Sequence, residues 1–116
     1  MNEFFARLKL RTLWSWQGCV STWQSEYSFR SWVWANLASA ALAFALPLGS
    51  AERALILALG LLVLAAELLN TAIENAVDYI STEQHPLAKR AKDAASAGVA
   101  ITALAVGAAW GIILTG

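Results

Sequence analysis

The sequence predicts an all-α integral membrane protein: three transmembrane helices preceded by an amphipathic helix on the membrane surface. Three observations carry that prediction. The 116 residues are 59% hydrophobic and only 14% charged, too apolar for a soluble domain of this length. The charges cluster, leaving Trp32–Leu48, Ala54–Ala66 and Ala94–Gly116 without any. Tryptophans crowd the N-terminal third, at Trp14, Trp16, Trp23, Trp32 and Trp34, and this residue favours the headgroup level of a bilayer. The length suits a single domain over residues 1–116.

The surface helix is expected over about residues 2–28. Phe5, Leu8, Thr12, Trp16, Cys19, Trp23 and Tyr27 recur at three- and four-residue steps, with Arg7 and Arg11 off that line. An aromatic-rich apolar stripe with basic flanks is what an interfacial helix needs. Gly18 offers a place for a bend. The first span is expected over about 31–48, ended by Pro47-Leu48-Gly49-Ser50. Ser50 is the expected N-cap of the next helix, with Glu52 in its first turn. That helix should run over about 51–80. A bilayer core of about 30 Å needs roughly 20 helical residues, so the uncharged run Ala54–Ala66 is too short to span alone. The helix must continue through Glu67 and Asn70, which carries Glu67 below the lipid surface. Ser81–Leu87 reads as a loop, and a third span follows over about 88–114. In it, Gly107 and Gly111 make a G-x-x-x-G step suited to close helix packing.

The formal net charge is zero, so nothing points to nucleic acid. Cys19 is the only cysteine, which excludes an intramolecular disulfide and a Cys-rich metal site. Phe4–Val20 does not read as a signal peptide, because Arg7, Lys9 and Arg11 interrupt it. Arg7, Lys9, Arg11 and Arg30 precede the first span, and Lys89, Arg90 and Lys92 lie between the second and third. By the positive-inside rule the N-terminus and the second loop face the cytoplasm. The Gly49–Arg53 turn and the C-terminus then face out.

The chemistry sits on Glu67-Leu68-Leu69-Asn70-Thr71-Ala72-Ile73-Glu74. At about 100° per residue, Glu67, Asn70, Glu74 and Asp78 share one stripe. Ionisable groups at membrane depth point by default to a working site. Lys89-Arg90-Ala91-Lys92-Asp93, at the cytoplasmic mouth of the third span, and Glu26, at the end of the surface helix, should lie near the same interface. Carboxylates beside lysines suit Mg²⁺ holding a polyphosphate: the ion takes one or two carboxylates and leaves its other positions to water and phosphate oxygens. A carboxylate at the depth of Glu67 suits a general base taking a proton from an alcohol. Plainer readings stand beside these: a solvated face for Asp78, Glu83 and Lys89, a helix-tying hydrogen bond for Asn70, a loop position for His85. The nucleotide motifs G-x-x-x-x-G-K-[ST], H-R-D and D-F-G are absent. Spacing alone therefore supports a small membrane protein with a metal- or proton-handling site. That leaves open a small oligomeric transporter or proton channel, and a non-catalytic assembly subunit. Some oligomer is expected, since so few spans poorly shield a membrane carboxylate.

On these residues the chain resembles the small prokaryotic diacylglycerol kinase family, which includes undecaprenol kinases. The match is strongest in Glu67–Glu74 with Asp78 and in Arg90-Ala91-Lys92-Asp93 followed by Ser96-Ala97. Glu26-x-x-Phe29-Arg30 and Ser15-Trp16-x-Gly18 add to it. The resemblance implies a homotrimer in the bacterial inner membrane. It implies transfer of the ATP γ-phosphate to the hydroxyl of diacylglycerol or a polyprenol, with Mg²⁺. Glu67 matches the family's general base, and Glu26 and Glu74 its metal-binding carboxylates. The ATP set it implies is Arg7, Trp14, Glu26, Glu74, Asp78, Glu83, Gln84, His85, Lys92 and Asp93. The lipid set is Arg7, Trp16, Arg30, Arg53, Glu67, Asn70, Ser96 and Trp110. Ser31-Trp32 stands where the family often has Gln-Glu, and Trp14 where tyrosine is common. Ala94-Ala95 replaces Met-Gly. These departures touch the acceptor lipid more than the phosphoryl transfer.

Overall fold

A computed structural model describes residues 1–116. Four helices follow one another: α1 (Asn2–Ser25), α2 (Tyr27–Ala45), α3 (Ser50–Ile80) and α4 (Pro86–Thr115), with no strand. The first break falls at Glu26 and not at Gly18. A single glycine costs a helix only about 1 kcal/mol, and α1 runs straight through Gly18, whose carbonyl accepts the Thr22 hydroxyl at 2.8 Å. Glu26 is extended at φ −117° and ψ 110°. Arg30 reaches back across it and donates to the carbonyls of Trp23 and Gln24. The last carbonyls of a helix have no partner of their own, so Arg30 closes α1 while starting α2.

The turn between α2 and α3 is fixed by Pro47 and Arg53. Leu46 is extended, as the residue before a proline is biased to be. The N-cap is Gly49, one residue earlier than Ser50. The Glu52 carboxylate explains the shift, because it accepts the Gly49 N–H at 2.9 Å. Arg53 Nε donates to the Ala43 carbonyl at 2.7 Å, and its guanidinium lies 5.3 Å from the Phe44 ring. From there α3 continues unbroken for 31 residues, about 46 Å at the helical rise. Helix α4 starts at Pro86, two residues before Ala88. Proline is favoured at the first helical position, and His85 Nδ1 caps the turn by accepting the Leu87 N–H at 3.0 Å.

Helix α3 is the centre of the molecule, packed against α2 and α4, while α1 reaches only α2 and α3. The extents of 49 × 45 × 23 Å fit an α1 that projects sideways from a flat bundle. The backbones of α2 and α4 never approach within 8 Å. Their side chains meet at one end, where Trp110 Nε1 donates to Ser39 Oγ at 2.8 Å beside the buried Ala43, Ile56 and Ala109. The close approach of α2 and α3 falls at Gly60, where an added Cβ would run into the Asn36 side chain. Gly107 and Gly111, expected to bring helices together, touch nothing within the chain.

Helices α3 and α4 are both long and apolar enough to cross a membrane, and only 28% and 11% of their most apolar windows are buried. A soluble protein's core helix would be mostly covered. Leu61, Ile101, Leu104 and Ile112 stand open on the outside, as side chains facing lipid do. The length, composition and exposure of α3 and α4 are those of helices that can cross a membrane.

Candidate active site

Glu67 is buried at 5% exposure, on the same helix face as Ile56, Gly60, Val63 and Thr71. A hydrogen bond reaches it from another helix: Ser28 Oγ donates to Oε2 at 3.3 Å. Glu26 and Glu74 are both close enough for their charges to act on it. One turn above Glu67, Asn70 Nδ2 donates to Glu74 Oε1 at 2.9 Å. A carboxylate only accepts, so this bond fixes the amide orientation. It leaves Asn70 Oδ1 buried with no donor. Glu67, Asn70, Glu74 and Glu26 therefore form one polar group, lying where α2 begins against α3.

The second group lies past the end of α3. A cleft of about 610 Å³ is lined by Asp78, Glu83, Gln84, His85, Lys89, Lys92 and Asp93, together with Val77, Ser81, Thr82, Pro86 and Ala88. Both of its ammonium groups are paired. Lys92 Nζ lies 2.7 Å from Asp78 Oδ1, which ties α4 to α3. Lys89 Nζ lies 2.6 Å from Asp93 Oδ2, one turn along α4. Asp78 stands eleven residues from Glu67 on α3, about 16 Å along the axis, and Glu74 lies between them. The two groups thus form a ladder from the buried carboxylate to the open cleft.

Other residues singled out from the sequence stand apart. Arg7 lines a second cleft of about 440 Å³ with Glu3, Phe4, Leu8 and Arg11, on a helix that does not touch α4. Trp14 and Trp16 are exposed on α1. Arg30 is spent on the end of α1 and Arg53 on the end of α2. Arg53 is fourteen residues from Glu67, about 21 Å away along α3. Trp110 bonds Ser39 at that same far end. Ser96 is exposed on α4, one turn past Lys92. Two neighbours of Glu67 were not singled out: Ser28, and Trp32, whose indole N–H also faces the carboxylate. Nothing in the sequence marks Ser28 among the other serines.

No three or more His, Cys, Asp or Glu side chains gather as a ready-made metal cage. Mg²⁺ does not need one, since one or two carboxylates serve when phosphate and water fill the rest. Glu26 and Glu74, each near Glu67, and the unpartnered Asn70 Oδ1 are hard oxygen donors of that kind.

The family model described as prokaryotic diacylglycerol kinase matches residues 13–114. The chain is 40% identical to the diacylglycerol kinase of Pseudomonas aeruginosa over 110 residues, 95% of this chain and 89% of that one. It is 43% identical to that of Haemophilus influenzae over 103 residues, 89% and 87% of the two chains. It is 36% identical to that of Escherichia coli K12 over 110 residues, 95% and 90%.

Proposed function

The chain belongs to the prokaryotic diacylglycerol kinase family, and we propose that it transfers the γ-phosphate of ATP to the hydroxyl of diacylglycerol. The product is phosphatidic acid, made at the cytoplasmic face of the inner membrane and returned to phospholipid synthesis. The observation that carries the reading is the ladder on α3. A carboxylate at 5% exposure sits below a polar cleft rich in acids and lysines, joined to it by Glu74 and Asn70.

Phosphoryl transfer asks a protein for positioning and charge stabilisation more than covalent chemistry. Glu67 accepts the proton of the lipid hydroxyl, whose tails stay in the bilayer. Glu26 and Glu74 would hold the metal, and Asn70 keeps Glu74 aimed. Bound Mg²⁺ would offset negative charge on the β- and γ-phosphates. Lys92 gives up Asp78 and takes the same phosphates, while Asp93 and the Glu83-Gln84-His85 turn line the nucleotide side of the cleft. Helix α2 is the first of three spans, with α3 and α4 the other two. In a homotrimer, Arg7 and Trp14, which cannot reach this cleft within one chain, approach it from a neighbour's α1. Arg7, Trp16, Ser96 and Trp110 face the lipid.

The test is an assay of purified protein with labelled ATP, with and without Mg²⁺, offering diacylglycerol and undecaprenol in parallel. Mg²⁺-dependent label in phosphatidic acid is the expected result. Label in undecaprenyl phosphate alone would move the acceptor. Proton or solute flux in liposomes without any ATP turnover would replace the reading with a channel.

A further inference from the structure

Serine and threonine hydroxyls inside helices usually bond the carbonyl one turn back. Thr12, Ser15, Thr22 and Ser31 all do so here. Ser28 cannot, because α2 begins at Tyr27 and the carbonyl four residues earlier belongs to α1. That carbonyl, of Gln24, is taken by Arg30. The break at Glu26 thus leaves Ser28 with a free hydroxyl in the first turn of a helix, where the dipole favours a nearby negative charge. The hydroxyl spends itself across the interface, on Glu67 Oε2 at 3.3 Å.

Ser28 gives this buried carboxylate its one hydroxyl donor, and the Trp32 indole N–H is the other donor that faces it. The last torsion of a glutamate side chain is broad and two-fold, so these directed donors decide how the two oxygens face. We propose that Ser28 is a positioning residue for Glu67. Its hydroxyl holds Oε2 and leaves Oε1 to receive the substrate proton. The step balances: the lipid O–H proton passes to Oε1 and the lipid oxygen bonds the γ-phosphorus. The bond from that phosphorus to the β–γ bridging oxygen breaks, and ADP leaves with the electron pair. The inference rests on the reading of Glu67 as the general base.

The experiment compares Ser28→Ala, Ser28→Thr and Ser28→Val in the full-length protein, with Glu67→Gln alongside. Loss of a hydrogen bond to a charged group lowers kcat by about tenfold or more in Ser28→Ala and in Ser28→Val. KM for ATP and for lipid stays within about twofold of wild type. Ser28→Thr restores kcat, because it returns the hydroxyl, whereas Ser28→Val returns only the shape. Adding Ser28→Ala to Glu67→Gln costs nothing further. Wild-type kcat in Ser28→Ala overturns the proposal and leaves the Glu67 reading standing, and so does equal rescue by valine. Full turnover by Glu67→Gln removes both together.

Discussion

Glu67→Gln separates chemistry from packing, because the structure assigns the two opposite signs. The substitution exchanges one carboxylate oxygen for an amide nitrogen and keeps the shape. The Ser28 hydroxyl, now 3.3 Å from Oε2, can donate to the remaining amide oxygen, so the α2–α3 contact survives. As general base, the carboxylate contributes about 10²–10⁴ in rate, and that factor should vanish from kcat. Stability should move the other way. The side chain is 5% exposed, with Glu26 and Glu74 near it and only the Ser28 and Trp32 donors to offset its burial. A neutral amide of the same size escapes most of the cost of burying charge. The assay pairs the lipid-kinase rate with thermal unfolding in detergent and with ATP affinity. The expected variant is inactive, at least as heat-stable as wild type, and still able to bind ATP. Turnover within tenfold of wild type refutes the base. Inactivity with a lowered unfolding temperature and lost ATP binding refutes the buried placement.

Gly60→Ala should destabilise the protein, since overpacking costs about 1–3 kcal/mol against about 1 kcal/mol gained in helix propensity. Adding Asn36→Ala should restore stability, and a single variant as stable as wild type in thermal unfolding would deny the close approach at Gly60. Asp78→Asn frees Lys92 from an exposed ion pair worth about 0–1 kcal/mol, so ATP should bind up to about fivefold more tightly at low salt. The gain should fade as salt screens it, and an unchanged or weaker ATP affinity in calorimetry would count against Lys92 meeting phosphate. Arg30→Met removes the tie across Glu26, so amide hydrogen exchange should rise around residues 24–28. Unaltered exchange there would mean the break holds without Arg30.

The ends of α3 were legible because local chemistry sets them. Pro47 and Gly49 stop one helix, and Glu52 sits where it can cap the next. The stripe of Glu67, Asn70 and Glu74 was legible from helical period alone, and the structure keeps those side chains together. The break at Glu26 was not. Ser25-Glu26-Tyr27 holds neither glycine nor proline, and the determinant is Arg30 reaching back to Trp23 and Gln24. That tie also explains why Ser28 was invisible: its freedom depends on which carbonyl Arg30 has already taken. Arg53 shows the converse. The family resemblance set it among the lipid contacts, and its donors go to the carbonyls of Ala43 and Leu46 at the end of α2. The spacing of Gly107 and Gly111 could be read, but the surface they face lies outside this chain.

Packing and chemistry are divided along the length of α3. Lipid tails are as apolar as leucine, so burying leucine against leucine gives membrane helices little reason to associate. What pins these helices is specific contact. At one end are the Arg53 bonds to α2 carbonyls, the Trp110–Ser39 bond between α2 and α4, and the close fit around Ala43, Ile56 and Ala109. At the other end the buried side chains on α3 turn polar, with Glu67 and Thr71, and the remaining ties are the Ser28–Glu67 bond and the Lys92–Asp78 pair. On the proposed reading a phosphate replaces the second tie, while the Ser28–Glu67 bond stays to hold the carboxylate. The Lys92–Asp78 pair can open without unpacking the molecule, because the far end keeps the three helices in register.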